Sequence, residues 1–251
     1  MYTRLVCLSL ILAIPALHAR EVEPPQFIKA AVEDAARPQE QRAQDSMRKP
    51  AALLQFSGVK PGDRVADFMA GNGYFTRLFS SVVGGKGHVY AFLPTEQLSR
   101  CDPSEVAGTL ALARDEHYKN VSVLKVPAGQ FDTGASFDLV WTAQDYHDLH
   151  DAFMGPVDLA RFNASVFRSL KAGGAFIVID HIAQEHSGTR DTETLHRIDR
   201  ATIVKEVTAA GFIFEGESDV LRNPVDSHLL SVFDPAIRYR TDQAVLRFRR
   251  P

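Results

Sequence analysis

The chain of 251 residues has only two cysteines, Cys7 and Cys101. Cys7 lies in an apolar N-terminal stretch, so a chain that loses this stretch keeps one thiol and forms no internal disulfide. The sequence also lacks an excess of positive charge, because its formal net charge is -3. Nucleic-acid-binding proteins carry basic surfaces, so we expect no nucleic-acid partner.

Long apolar runs are absent as well. The longest covers residues 5–14, after the single basic residue Arg4, and a membrane-spanning helix needs about 20 apolar residues. We therefore expect no stable membrane span. A basic residue, a short apolar run and small residues in this order are typical of a secretory signal peptide. We predict a signal peptide over 1–19, cleavage after Ala19, and an exported, periplasmic protein; an uncleaved anchor or a buried helix is the alternative.

The remaining chain divides into an arm and one domain. Residues 20–50 are polar, contain several prolines and predict an N-terminal helical arm. Over 51–251, short apolar runs alternate with amphipathic segments, which predicts an α/β fold with a mostly parallel sheet covered by helices on both faces. The predicted strands are RVADF, HVYAF, VSVLKV, FDLVWTA and AFIVID, with FIFEGES and QAVLRFR at one edge. The predicted helices are 74–83, 103–119, 157–170 and 197–210.

The segment DFMAGNGYFTRLF, residues 67–79, indicates a strand, a glycine-rich turn and a helix. Gly71 and Gly73 fit the dinucleotide pattern G-x-G-x-x-G, but Thr76 stands at its third glycine, which disfavours an NAD-linked oxidoreductase. The turn suits a cofactor that approaches the backbone closely and carries no phosphate, with Asp67 at the strand end. S-adenosylmethionine fits this description. A turn that binds no ligand is the alternative.

Together with this turn, LKAGGAFIVID and AAGFIFEGE make residues 51–251 resemble class I S-adenosylmethionine-dependent methyltransferases. The segments DYHDLHD at 145, DH at 180 and LHRID at 195 resemble a group of exported bacterial methyltransferases. The resemblance implies a Rossmann-like, seven-stranded sheet with its last strand antiparallel, S-adenosylmethionine as cofactor, and a small-molecule substrate. It also implies that Asp67, Gly71 and Gly73 line the methionine end of the cofactor.

The chain departs from this family pattern at three places. Met69 replaces the first glycine of D-x-G-x-G-x-G, which predicts a narrower pocket or a tilted loop. No carboxylate directly follows the second strand, so Glu96 is the nearest candidate for the ribose hydroxyls. After the third strand, Gln130 or Asp132 is left to meet the adenine.

Polar residues follow the fourth and fifth predicted strands: Asp145, His147, His150, Asp180 and His181. Because the carboxyl ends of parallel strands meet at one edge, we expect these residues in one crevice. We predict His147 or His181 as a general base, with Asp145 also catalytic. A metal held by Asp145, Asp180 and His181 is the second interpretation. The spacing matches no metal motif, so we expect no metal; solvated loop residues and helix caps are the third interpretation.

Two further segments are candidates for this crevice. His196 and Arg197 could lie over it from the start of a helix, or belong to a salt-bridged helix face. In the arm, Arg42, Asp45 and Arg48 share a face that either binds the cofactor's carboxylate or is solvated. Because S-adenosylmethionine is made inside cells, the main alternative function is an exported protein that binds a small ligand without methylating it.

Overall fold

The computed structural model describes residues 23–131, 134–155 and 157–251, so the predicted signal peptide lies outside the described residues. A seven-stranded sheet has the order β3-β2-β1-β4-β5-β7-β6, with β7 antiparallel to both neighbours and the other pairs parallel. The strands are β1 (Arg64–Phe68), β2 (His88–Pro94), β3 (Val121–Val126), β4 (Phe137–Ala143), β5 (Leu170–His181), β6 (Ile213–Glu217) and β7 (Gln243–Arg249). The predicted sheet and its antiparallel last strand are confirmed.

Helices cover both faces of this sheet, and none in the described part of the chain is long and apolar enough to cross a membrane. The α-helices are α1 (Gln26–Glu33), α2 (Gln39–Arg42), α3 (Asp45–Arg48), α4 (Pro50–Ser57), α5 (Tyr74–Val83), α6 (Thr95–Leu98), α7 (Ser104–Leu112), α8 (Leu159–Ser169), α9 (Thr192–Leu195) and α10 (Arg200–Ala209).

Alternation of side chains along the buried strands builds two cores. In β5, Ile177 and Ile179 face the core under α1, α4, α5 and α7, whereas Phe176 and Val178 face the core under α8 and α10. All four side chains are buried, as expected for a central strand covered on both faces. Burying such side chains contributes about 1.5–3 kcal/mol each, so the central strands anchor the sheet.

Three predicted helices are shorter in the structure, and two of them begin later than predicted because an aspartate caps the new start. Asp158 accepts a hydrogen bond from the backbone N–H of Arg161 and begins α8, and Asp199 does the same for Ala201 and α10. The segment predicted as one helix over 103–119 contains α7 and a separate 3₁₀ turn, whose start is capped by the Asp115 carboxylate. The helix predicted over 74–83 is confirmed as α5.

The arm packs against the glycine-rich turn and helix α5. Asp45 receives two hydrogen bonds from the Arg37 guanidinium, at 2.7 and 2.9 Å, and one from the Tyr74 hydroxyl at 2.6 Å. The Gln41 side chain donates to the Asn72 carbonyl at 2.9 Å. These contacts place the arm beside the carboxyl ends of β1 and β4, where the strand order reverses and open α/β sheets bind ligands.

Candidate cofactor cavity and active site

The turn after β1 keeps a left-handed backbone although methionine stands at its first glycine position. Met69, Gly71 and Gly73 have φ angles of 58°, 51° and 77°. This conformation costs a residue other than glycine about 1–2 kcal/mol. The Met69 side chain is buried among the apolar residues of the α8 and α10 core, which offsets this cost. Met69 thus adopts the conformation that glycine favours.

Asp67 lies at the end of β1 with only 3% of its surface exposed. Burial raises the pKa of its carboxyl to about 7, against the opposing effects of a hydrogen bond from Thr76 and the charge of Arg48. The Thr76 hydroxyl donates this bond at 2.6 Å. Thr76, the residue that disfavours an NAD site, therefore orients the Asp67 carboxyl.

A cavity of about 430 Å³ opens beside the turn, within the size range of small-molecule sites. Its wall includes Asp67, Gly71, Gln97, Glu105, Asp145 and Arg48. A Cβ built on Gly71 would meet no protein atom within 4 Å, so this position leaves open space for a ligand. Gly73 is not part of the wall: it precedes α5, and a Cβ there would come within 2.9 Å of Arg77 and Thr109.

Glu96 and Gln130, which were predicted to contact the ribose and the adenine, do not line this cavity. The Glu96 carboxylate accepts hydrogen bonds from the Ala128 N–H at 3.1 and 3.3 Å, so it supports the end of β3 and does not line the cavity. Gln130 is exposed, and Asp132 lies outside the described residues. Gln97 and Glu105 line the cavity instead, and the buried Gln97 Oε1 accepts no hydrogen bond from the described residues.

Arg48 is the arginine of the arm that lines the cavity. Its guanidinium lies 4.2 Å from the Tyr74 ring centroid and 5.0 Å from that of Phe75, and it forms no hydrogen bond or ion pair with any other described residue. Burial lowers the pKa of this guanidinium, while Asp145 and Asp67 are among the acidic groups that oppose the change. Arg42 on the preceding helix is exposed. Of the two predicted arginines, Arg48 alone faces the cavity.

His147 is held on both sides of its ring. Nδ1 lies 2.8 Å from Asp180 Oδ1, and Nε2 lies 3.0 Å from Asp148 Oδ1. Burial disfavours the charged ring, yet the two carboxylates raise the pKa of His147 well above its usual value. Because both ring nitrogens face carboxylates, neither is directed at a substrate proton in this arrangement. The role of His147 as a base stays a prediction, and His181 is the other candidate.

His181 has the opposite character. Burial lowers the pKa of its ring to about 4, and Nδ1 hydrogen-bonds with the Thr241 hydroxyl at 2.7 Å. No described residue hydrogen-bonds to Nε2, and the ring lines the cavity. His181 is therefore the neutral imidazole of the site.

Asp145 also faces the cavity and forms no hydrogen bond with the described residues. Burial, reinforced by Asp148 and Asp180, raises the pKa of this carboxyl well above its usual value.

The second interpretation, a metal on Asp145, Asp180 and His181, does not match the geometry. Asp180 accepts three hydrogen bonds, from the His147 ring and from the backbone N–H groups of His147 and His181, at 2.7–2.8 Å. Its oxygens are thereby occupied. A different group, His147, Asp148, Asp151 and His196, has potential ligand atoms within 4.8 Å of one another.

The remaining candidates separate into two groups. His196 lies beside the cavity, with its Nδ1 3.3 Å from His147 Nε2. Arg197 does not lie over the crevice, because its side chain is fully buried in an ion pair with Asp226 at 2.9 Å. His150 also leaves the site and contacts Glu206 at 3.3 Å. Burial explains the position of Arg197, since a buried charge needs its own partner.

A second cavity, of about 170 Å³, adjoins the first. Both cavities are lined by Gln44, Arg48, Phe75, Ala143, Gln144, His181, Val232 and Phe233. Apolar side chains make up much of the rest of the second wall: Met47, Leu53, Ile179, Leu221 and Tyr239. Leu221 and Tyr239 come from the loop before β7, a segment in which the sequence shows no periodic pattern. The site thus has a polar compartment and an apolar compartment that meet at His181.

Comparison with known proteins agrees with the fold. No protein-family model matches the chain, and no curated protein matches it. Among solved structures, the chain is similar to a SAM-dependent methyltransferase from Aquifex aeolicus, with 16% identity, a TM-score of 0.55, and coverage of 82% of this chain and 97% of that one. It is also similar to an S-adenosylmethionine-dependent methyltransferase from Mesorhizobium loti, with 16% identity, a TM-score of 0.56, and coverage of 82% of this chain and 100% of that one. The [4+2]-cyclase SpnF is 18% identical, with a TM-score of 0.58 and coverage of 87% of this chain and 84% of that one.

Strand order, the antiparallel β7, the glycine-rich turn after β1 and these similarities agree with one another. The chain has the Rossmann-like class I methyltransferase fold.

Proposed function

We propose that the chain is an S-adenosylmethionine-dependent methyltransferase that acts on a small molecule. One observation carries the proposal: Asp67 and Gly71 of the left-handed turn line a cavity of about 430 Å³ at the carboxyl ends of β1 and β4. The names of the solved structures from Aquifex aeolicus and Mesorhizobium loti support the same activity. In this cavity Gln97 and Glu105 are the candidates for the ribose hydroxyls.

Charges along the cavity suit the methionine end of the cofactor. Arg48 offers an unpaired guanidinium for the carboxylate, and Asp67 offers an acidic group for the ammonium. Both side chains are positioned before binding, Arg48 by the rings of Tyr74 and Phe75 and Asp67 by Thr76. Groups fixed in advance lose little conformational entropy on binding.

Replacing Arg48 by glutamine is expected to weaken S-adenosylhomocysteine binding by roughly 10- to 150-fold, because a hydrogen bond to a charged group contributes about 1.5–3 kcal/mol. Titration calorimetry measures the change. The matched control is Arg42→Gln, which removes an exposed arginine from the same arm and should leave affinity unchanged. Equal affinities of the two variants would contradict the role of Arg48.

The affinity for S-adenosylhomocysteine is expected to depend on pH through Asp67. Its pKa is raised to about 7, so the carboxyl takes up a proton as the pH falls through neutrality and loses the charge that faces the ammonium. Affinity should therefore fall by up to about tenfold per pH unit below pH 7 and level off above it. In Asp67→Asn this dependence should disappear. A variant that keeps the slope of the unmutated chain would show that another group is responsible.

The apolar cavity is suited to the methyl acceptor. Its volume of about 170 Å³ is close to that of a cavity that holds one benzene ring. Polar groups of Gln144, Thr241 and Gln243 lie among the apolar side chains of this wall and can orient one hydroxyl. We therefore place a small molecule with a ring-sized apolar body and a hydroxyl group in this cavity.

The junction of the two cavities is the place for methyl transfer. Bound S-adenosylmethionine would supply the methyl group to the acceptor oxygen, and its sulfonium would become the neutral thioether of S-adenosylhomocysteine. Nε2 of His181 is placed to take the hydroxyl proton, because the ring is neutral at pH 7 and lines both cavities. Asp145 faces the same space and is placed to orient the acceptor hydroxyl.

Product analysis tests the proposed reaction. The protein is incubated with S-adenosylmethionine carrying an isotopically labelled methyl group and a panel of phenols, catechols and cyclic alcohols. We expect S-adenosylhomocysteine and a labelled acceptor in equal amounts. The similarity to SpnF makes this measurement necessary, since the name of that protein specifies a cyclase. Cofactor binding without any labelled product would favour the non-methylating binding protein.

We also propose that the protein is exported to the periplasm and related to the exported bacterial methyltransferases. The order of Arg4, the apolar run and Ala19 supports this proposal. N-terminal sequencing of the native protein is expected to begin at Arg20 or within a few residues of it. Native protein that begins at Met1 would contradict cleavage.

A further inference from the structure

We propose that His147, Asp148, Asp151 and His196 form a binding site for one divalent transition-metal ion at the wall of the cofactor cavity. The four side chains come from two separate segments, after β4 and after α9. Two imidazoles and two carboxylates are a ligand set that suits Zn²⁺ and its first-row neighbours better than Mg²⁺, which prefers oxygen ligands alone.

The distances agree with a shared ion. His147 Nε2 lies 3.0 Å from Asp148 Oδ1 and 3.3 Å from His196 Nδ1, and the last two atoms are 3.8 Å apart. Ligand atoms that each lie about 2.0–2.2 Å from one tetrahedral ion are about 3.3–3.6 Å from each other. Small rotations of the three side chains therefore bring their ligand atoms to metal-binding positions.

Asp151 gives independent support. Only 2% of the residue is exposed, and no hydrogen bond of standard geometry reaches either carboxylate oxygen from the described residues. The Thr192 hydroxyl lies close enough to interact with the carboxylate, but it donates to the Thr189 carbonyl at 3.2 Å. A buried carboxylate without a hydrogen bond is costly, and a cation within the cluster would satisfy it.

The surroundings of His147 also match a metal ligand. Its Nδ1 points to Asp180 Oδ1 at 2.8 Å, which leaves Nε2 directed into the cluster. Metal-binding histidines commonly donate their other ring N–H to a carboxylate, which fixes the ring. No described lysine or arginine forms an ion pair with Asp148, Asp151 or Asp180. Among the described residues, the ionic partners of these carboxylates are therefore imidazoles alone, which can release a proton when a metal ion binds.

The cavity gives the ion an open side. His147, Asp148 and His196 are part of the cavity wall, so an oxygen of a bound small molecule can complete the coordination shell. This role rests on the proposed function: a hydroxyl bound to the ion becomes more acidic and is held in place for methyl transfer. Metal binding itself does not depend on the cofactor.

Zn²⁺ titration of protein without a polyhistidine tag, stripped with EDTA and free of cofactor, tests the site. We expect one Zn²⁺ per chain, and with Co²⁺ a visible d–d absorption that indicates nitrogen and oxygen ligands. His196→Gly and Asp151→Asn should each bind Zn²⁺ at least about tenfold more weakly, because changes even outside the ligand shell commonly cost 10- to 100-fold.

The matched control is His186→Gly. His186 and His196 have φ angles of 66° and 53°, so glycine fits both backbones, but His186 is exposed and lies outside the cluster. This control should bind Zn²⁺ like the unmutated chain. Folded protein that binds no stoichiometric Zn²⁺, or His196→Gly and Asp151→Asn variants with unchanged affinity, would overturn the site. Separate titration with S-adenosylhomocysteine shows whether the proposed function fails independently.

Discussion

Gly71→Val is expected to abolish S-adenosylhomocysteine binding, with a loss of at least about 100-fold, or about 2.7 kcal/mol. The added side chain has no protein atom within 4 Å of its Cβ, so it projects into the cavity where the cofactor must approach the backbone. The φ angle of 51° adds a strain of about 1–2 kcal/mol that a β-branched residue does not relieve. Titration calorimetry measures the loss of affinity.

Gly173→Val is the matched control for this prediction. Gly173 has a φ angle of 79°, and its Cβ position is also free of contacts within 4 Å, but it lies at the amino end of β5, away from the cavity. The two variants should lose similar thermal stability, and only Gly71→Val should lose binding. Unchanged affinity in Gly71→Val would show that the cofactor is not bound against this turn.

His181→Gln is expected to lower the turnover number by about 10²- to 10⁴-fold, the usual contribution of a general base. Glutamine can still hydrogen-bond to the Thr241 hydroxyl but cannot take the acceptor proton. Cofactor affinity should change by less than about threefold, because the ring contributes to transfer and not to the methionine end of the site. Turnover is measured with an acceptor identified by the labelled-methyl assay.

His150→Gln provides the comparison for His181→Gln. His150 belongs to the same polar segment, but its ring contacts Glu206 and does not line either cavity. Turnover of this variant should stay within about twofold of the unmutated chain. Equal losses in the two variants, or a His181→Gln enzyme as fast as the unmutated one, would remove His181 from the reaction.

Much of the fold could be predicted because its determinants are local in sequence. The apolar runs of β1, β4 and β5 are buried on both faces, and the alternation of Phe176 and Val178 with Ile177 and Ile179 shows why. Helix starts were less predictable. Asp158 and Asp199 have an extended backbone and cap α8 and α10, whereas Arg197 lies before α10 and pairs with Asp226, which is distant in sequence.

The site was less accessible to sequence reasoning because its groups depend on contacts between distant segments. Met69 departs from the glycine pattern in side chain but not in backbone conformation. The sequence predicts His147 as a general base, because it does not show that Asp180, 33 residues later, contacts Nδ1 of this ring. Gln97 and Glu105 reach the cavity from α6 and α7, whose positions the sequence pattern does not give.

The metal ligands could have been suspected from His147, Asp148 and Asp151 in DYHDLHD, but the spacing alone does not show that they converge. The fourth ligand candidate, His196, comes from a turn after α9 and joins them only in three dimensions. The unsatisfied carboxylate of Asp151 is likewise a property of burial. A cluster of this kind is identified by distance and not by motif.

Titration of S-adenosylhomocysteine into the unmutated, ligand-free chain tests the central proposal most directly. This reaction product carries the ammonium, carboxylate and ribose that Asp67, Arg48 and the pair Gln97 and Glu105 are placed to meet. We expect one binding site per chain with a dissociation constant in the micromolar range, about -8 kcal/mol. No detectable binding by protein whose circular dichroism shows it to be folded would contradict the proposed cofactor and, with it, the proposed reaction.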